Sequence, residues 1–147
     1  MRSCAIILGF VTVAALAVAA ASPATAEPPA FKVIVNPDNP AQGIHRDVLR
    51  NAFLGKGAAW PRNLVVRPIG LSPKFITREQ FAKNVLKKTL AQLKSYWTQQ
   101  IFSGKGVPPP EAGSTSDVIE FVLANPGAVG YLPADADPGK AKVIAVE

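Results

Sequence analysis

The sequence is poor in reactive side chains. Its 147 residues include one cysteine, one histidine and one methionine, and aromatic residues make up 7%. The cysteine, Cys4, stands near the start, so the rest of the chain carries no disulfide, no thiolate nucleophile and no cysteine-ligated zinc site. The histidine, His45, has no second imidazole or thiolate with which to hold a metal. Nor does it serve a serine triad, because no serine stands in a Gly-x-Ser-x-Gly elbow. Within Gln42-Gly43-Ile44-His45-Arg46-Asp47 it reads as a polar residue at a helix start. Internal repeats and low-complexity segments are also missing. No catalytic residue, metal site or cofactor is therefore expected.

What the sequence does have is a front-loaded apolar segment and a basic balance. Met1-Arg2-Ser3-Cys4 precedes an almost unbroken apolar run from Ala5 to Ala21, then Ser22-Pro23-Ala24-Thr25-Ala26. A basic start, an apolar stretch and a small-x-small ending describe a secretory signal peptide over residues 1–26, cleaved before Glu27. A retained membrane anchor is the competing reading, since the run approaches the roughly 18–20 residues needed to span a bilayer. Cleavage leaves one domain, 27–147, without cysteine, in which 15 basic residues outnumber 10 acidic ones for a net charge of +5. The expected location is the periplasm or the extracellular space.

Along that domain, Phe31–Val35 is a β-branched run stopped by Asn36-Pro37-Asp38-Asn39-Pro40, a strand ending in a turn. Residues 47–54 have helical spacing, with Gly55 at the C-terminal glycine position. Leu64–Gly70 is a second strand, with Pro68 near its end. Thr77-Arg78-Glu79-Gln80 and Thr89-Leu90-Ala91-Gln92 are both capping boxes, each opening a helix. Leu90, Leu93, Trp97 and Ile101 form one apolar stripe, and Tyr96 is expected at its edge with a solvated hydroxyl. Val107-Pro108-Pro109-Pro110 is a stiff connector. Ser114-Thr115-Ser116-Asp117 caps a fourth helix, and 128–132 and 142–146 are strands. Strands separated by helices predict an α/β layered domain, a mixed sheet of four to five strands flanked by about four helices.

Several of these segments recur in a known family. Val35-Asn36-x-x-Asn39, Phe53-Leu54-Gly55-Lys56 with Trp60, Thr77-Arg78-x-x-Phe81, and Asn125-Pro126-Gly127-Ala128-Val129-Gly130-Tyr131-Leu132 resemble one lobe of the phosphate-type periplasmic substrate-binding proteins. The match runs from about Phe31 to Val146, long enough for one lobe of a two-lobed protein and too short for both. That resemblance implies a non-enzymatic binding protein for a small oxyanion such as phosphate or sulfate, with a transporter or sensor membrane component as partner. The family's anion loop reads Gly-Ser-Gly-Thr before its helix; here Phe75 and Ile76 replace the small residues.

The resemblance and helix-terminus physics together make Thr77 and Arg78 the main candidates for anion binding, with Lys74 nearby. Asn36, Asn39, Ser114 and Ser116 are further ligand candidates from the sheet end that faces the ligand in relatives. Each has a plainer reading beside it: Asx-turn bonding for the asparagines and helix capping for Thr77 and the serines. The alternative function is an extracytoplasmic protein-interaction module that has lost ligand binding, which a homodimer or another partner would cover on its exposed apolar face. A third reading uses Lys83, Lys87, Lys88, Lys94 and Lys105 as an envelope-binding face. Against nucleic acid stands the want of interleaved aromatics. A solvated helix face is the simplest account of those lysines.

Overall fold

The computed structural model describes residues 30–147, so the leader expected over 1–26, Cys4 included, lies outside the described residues. In chain order the elements are β1 (Phe31–Val35), β2 (Gly43–Ile44), α1 (Arg46–Phe53), β3 (Ala59–Trp60), a 3₁₀ turn (Pro61–Asn63), β4 (Leu64–Val65), β5 (Arg67–Pro68) and β6 (Gly70–Leu71). There follow α2 (Ile76–Phe81), continued by a π-helical turn over Ala82–Leu86, then α3 (Leu90–Phe102), β7 (Glu111–Ala112), α4 (Thr115–Ala124), β8 (Ala128–Pro133) and β9 (Lys142–Val146).

A five-stranded mixed sheet in the order β2-β9-β1-β8-β5 organises the domain. Its centre is antiparallel: Val33 of β1 stands opposite Tyr131 of β8 on one side and Ile144 of β9 on the other. Both outer pairs are parallel. β1 and β8 are buried almost throughout, as strands covered on both faces must be. The α/β single-lobe architecture expected from the sequence is the one observed.

The segment expected as one strand over Leu64–Gly70 is instead three two-residue strands with three different partners. β4 pairs with β3, β5 with β8 and β6 with β7. Pro68 shows why. In the parallel β5–β8 pair the amides of Arg67 and Ile69 donate to Gly127 and Val129, so the residue between them turns its nitrogen away from β8. A proline is therefore tolerated on this edge strand, but it offers no amide to a further one.

The second correction concerns α2. Thr77 does not cap it: the helix starts at Ile76, Phe75 holds the N-cap position without a side-chain bond, and Thr77 is 3% exposed inside the first turn. Packing sets this register, because it buries Thr77 and Phe81 together and carries the Arg78 side chain back over Leu71. The capping box at Thr89 does form. Gln92 N donates to Thr89 Oγ1 at 3.2 Å and Thr89 N donates to Gln92 Oε1 at 2.9 Å.

The core joins the sheet to α1, α2 and α4. Phe81 stacks on Tyr131 with ring centroids 3.9 Å apart, and Phe31 and Phe53 pack edge-on to Phe81. Helix α3 is attached more lightly: of its residues only Leu93 and Trp97 are buried, and the expected stripe fades into Ile101, which is 53% exposed. The Tyr96 hydroxyl is not free in solvent as expected; it donates to the Leu54 carbonyl at 2.7 Å, fastening α3 to the end of α1.

Candidate functional site

Arg78 is the most constrained charged side chain among the candidates. It rises from α2 into the angle between β6 and β7, where its side chain is 14% exposed. Nη1 donates to the Leu71 carbonyl at 3.0 Å, and Nη2 donates to Glu111 Oε1 at 2.7 Å. A Cβ added at Gly70 would come within 2.8 Å of Nη1, so the glycine leaves the room that the guanidinium occupies. Nε is buried and has no partner among the described residues. The guanidinium thus holds a carboxylate in the way an arginine site holds an oxyanion, but that carboxylate belongs to the chain itself.

Beside this pair, the Leu71 amide donates to the Tyr131 hydroxyl at 3.1 Å. Burial pushes the Tyr131 phenol above its ordinary value, against the opposing pull of the Arg78 guanidinium and of the Leu71 bond. A raised folded-state value means that, as pH climbs past about 10, the unfolded chain releases this proton first. Stability is then complete below that pH and is lost above it. Urea midpoints at about pH 8 and about pH 11 are expected to fall less in Tyr131→Phe than in the wild type, which checks this linkage directly.

Among the described residues none of the remaining candidates is hydrogen-bonded to Arg78. Asn36 is 4% exposed; its Oδ1 accepts from the Asp38 amide at 2.9 Å, while Nδ2 donates to the Val122 and Leu123 carbonyls at 3.0 and 3.1 Å. Asn39 is 1% exposed, and its Oδ1 accepts from the Ala41 amide at 2.9 Å. Both close Asx turns, and Asn36 also satisfies carbonyls at the C-terminal end of α4. Ser114 sits at the opposite end of the same helix as its N-cap, accepting from the Asp117 amide at 3.1 Å. Ten residues of helix, roughly 15 Å, separate these two ends. Ser116 is exposed, and Lys74 lies near the Phe75 ring.

Lys83 is bonded to Glu79 at 2.6 Å, and Lys88 lies 5.5 Å from the centre of the Tyr96 ring. His45 stands at the N-cap of α1, with Nδ1 3.8 Å from a carboxylate oxygen of Glu147. Among the described residues no group of three His, Cys, Asp or Glu side chains could hold a metal ion, and no helix is long and apolar enough to cross a membrane.

Sequence reasoning overlooked Glu111, Gly70 and Tyr131. Tyr131 stood in the Asn125–Leu132 motif and Gly70 at a strand end, neither with a role at the site, and Glu111 is the single acidic residue between Glu79 and Asp117.

Two hollows flank Trp97. One, of about 520 Å³, lies between α3 and Pro108 and is lined by Leu90, Leu93, Ile101 and Lys94, with Arg78 and Glu111 also on its wall. The other, of about 370 Å³, lies toward Ala52, Gly57, Val65 and Pro68; Trp97 and Pro108 form a wall common to both.

No protein-family model and no curated protein matches the chain. Solved structures do. An ABC-type phosphate transport receptor from Vibrio cholerae superposes with a TM-score of 0.56 at 16% identity, over 80% of this chain and 46% of that one. A structure from Clostridium perfringens, described as a phosphate ABC transporter substrate-binding protein with bound phosphate, gives 0.60 at 15% identity over 80% and 44%. PstS from Borrelia burgdorferi gives 0.59 at 15% identity over 80% and 47%. The chain has the fold of one lobe of these phosphate-binding transport proteins, and it spans less than half of their length.

Proposed function

We propose that this chain is a non-enzymatic extracytoplasmic binding protein in which a phosphate-binding-protein-like lobe carries a closed anion position and acts through a protein partner. The observation that carries this reading is the 2.7 Å bond from Arg78 to Glu111. An incoming phosphate competes there with a carboxylate tethered to the same chain, whose effective concentration is of millimolar order or higher. The helix start offers little in compensation. Phe75 and Ile76 stand where small residues would let an anion reach the amides, and Thr77 is buried. Residues 1–26 act as the cleaved leader in this reading, and 27–147 as the functional domain.

One observation favours a second reading, in which the Thr77–Arg78 region binds phosphate or sulfate for a transporter membrane component: Arg78 Nε is a buried donor without a partner among the described residues. Thermal melting with each oxyanion separates the two. A ligand at a hundredfold excess over its dissociation constant adds about 2.7 kcal/mol to stability. The expected result is an unchanged melting temperature with millimolar phosphate or sulfate. A phosphate-dependent rise that disappears in Arg78→Ala would establish the second reading instead.

A further inference from the structure

We propose that the groove between α3 and the Val107–Pro110 segment docks an apolar protein segment flanked by acidic residues, with two of its apolar side chains entering the hollows on either side of Trp97. This rests on the reading that the lobe acts through a protein partner, and it names the chemistry of that partner. Three observations support it.

The first is shape. Two hollows that share Trp97 and Pro108 as a common wall suit two side chains of one extended or helical segment. Each is large enough for a bulky apolar side chain, and a compact solute would fill only one of them.

The second is the surface between and beyond them. Ile101, Phe102 and Val107 are 53%, 88% and 74% exposed, so the C-terminal end of α3 and the chain after it present apolar area that nothing among the described residues covers. Helix α3 does not need this face to hold its place, because Trp97, Leu93 and the Tyr96 hydroxyl already fasten it.

The third is charge. Lys94 lines the larger hollow, Lys56 stands between two glycines that line the smaller one, and Lys105 follows the exposed Phe102. Helix α3 contains no acidic residue. The carboxylate that lines a hollow, Glu111, is bonded to Arg78. Lys94 in the wall of the larger hollow, with Lys56 and Lys105 close in sequence to groove residues, complements acidic flanks on a partner. A second copy of the chain is a poorer fit, because joining two such faces would set lysine against lysine. Trp97 is 6% exposed and leaves no face for base stacking, which disfavours a nucleic acid.

The test selects random displayed peptides against protein produced from the full chain, then measures the affinity of the selected peptides by fluorescence anisotropy. Peptides with two or more apolar residues flanked by Asp or Glu are expected to be enriched. Their affinity should fall by about tenfold or more in Ile101→Glu and in Lys94→Glu, and should weaken with added salt. Both positions are exposed, so melting temperatures are expected to stay near that of the wild type. An unenriched library, peptides without acidic flanks, or affinities indifferent to both variants would overturn the proposal. Self-association in sedimentation equilibrium that Ile101→Glu abolishes would overturn it in favour of a second copy. A failed selection beside an oxyanion melt that stays flat removes this site alone, whereas a phosphate response removes the reading beneath it.

Discussion

Phe81→Ala is expected to cost about 3–5 kcal/mol, a large share of the roughly 5–15 kcal/mol that holds a domain of this size folded. The ring is 1% exposed and lies at the meeting point of three others: stacked on Tyr131 at 3.9 Å, edge-on to Phe31 at 5.3 Å and to Phe53 at 4.8 Å. Removing it leaves a cavity between α2 and the sheet and forfeits aromatic contacts worth about 0.5–1.5 kcal/mol each beyond their area. The surrounding backbone is pinned by the central strands, so collapse into the cavity is limited. Ile76→Ala, on the same helix but 72% exposed, is expected to stay within about 0.5 kcal/mol of the wild type. Urea unfolding of the two variants checks the contrast. A cost for Phe81→Ala below about 1.5 kcal/mol would mean that this cluster does not carry the core.

Gly127→Ala is expected to cost about 3 kcal/mol, at the upper end for a small-to-large change. A Cβ at this buried position would press into the Val65 carbonyl oxygen and lie 3.5 Å from Leu64 Cγ. Neither the glycine nor the carbonyl can retreat easily. The Gly127 carbonyl accepts from Trp60 Nε1 at 3.0 Å and from the Arg67 amide at 2.8 Å, and β3 and β4 hold Val65 in register. The same contacts explain why Trp60 and the Asn125–Gly130 segment, far apart in sequence, belong to one structural unit. Gly113→Ala is the control: its Cβ would meet nothing nearer than 3.7 Å, and its φ is not positive. Its melting temperature is expected to match the wild type, while that of Gly127→Ala falls by many degrees.

Elements announced by local chemistry were legible in the sequence. The β-branched runs at Phe31–Val35 and Lys142–Val146 are strands with those bounds. Thr89 and Ser114 cap α3 and α4, because a hydroxyl three residues before a free amide needs no distant help. Features set by distant partners were hidden. The Thr77 signal is as good locally as the one at Thr89, yet packing of Thr77 and Phe81 against the sheet moves the helix start to Ile76. The strand expected over Leu64–Gly70 is divided because three separate segments claim its pieces. The inward face of the turn over Ala82–Leu86 was legible, because Ala82, Val85 and Leu86 fall at i, i+3 and i+4; only the widening of that turn to π geometry was not.

The candidate site divides along the same line. The sequence put Thr77 and Arg78 forward together for an anion; the structure buries Thr77 and surrounds Arg78 with Leu71, Gly70 and Tyr131. What local spacing could not show is that Glu111, 33 residues away, supplies the anion. The wide separation of Asn36 from Ser114, at opposite ends of α4, was equally invisible, since each reads in sequence only as a turn or a cap.

Isothermal titration of phosphate into the protein is the most direct test of an anion position closed from within. No heat beyond dilution is expected up to millimolar phosphate, because the Arg78 guanidinium is already bonded to Glu111 and to the Leu71 carbonyl. Saturable heat with a micromolar dissociation constant, lost in Arg78→Ala, would contradict it.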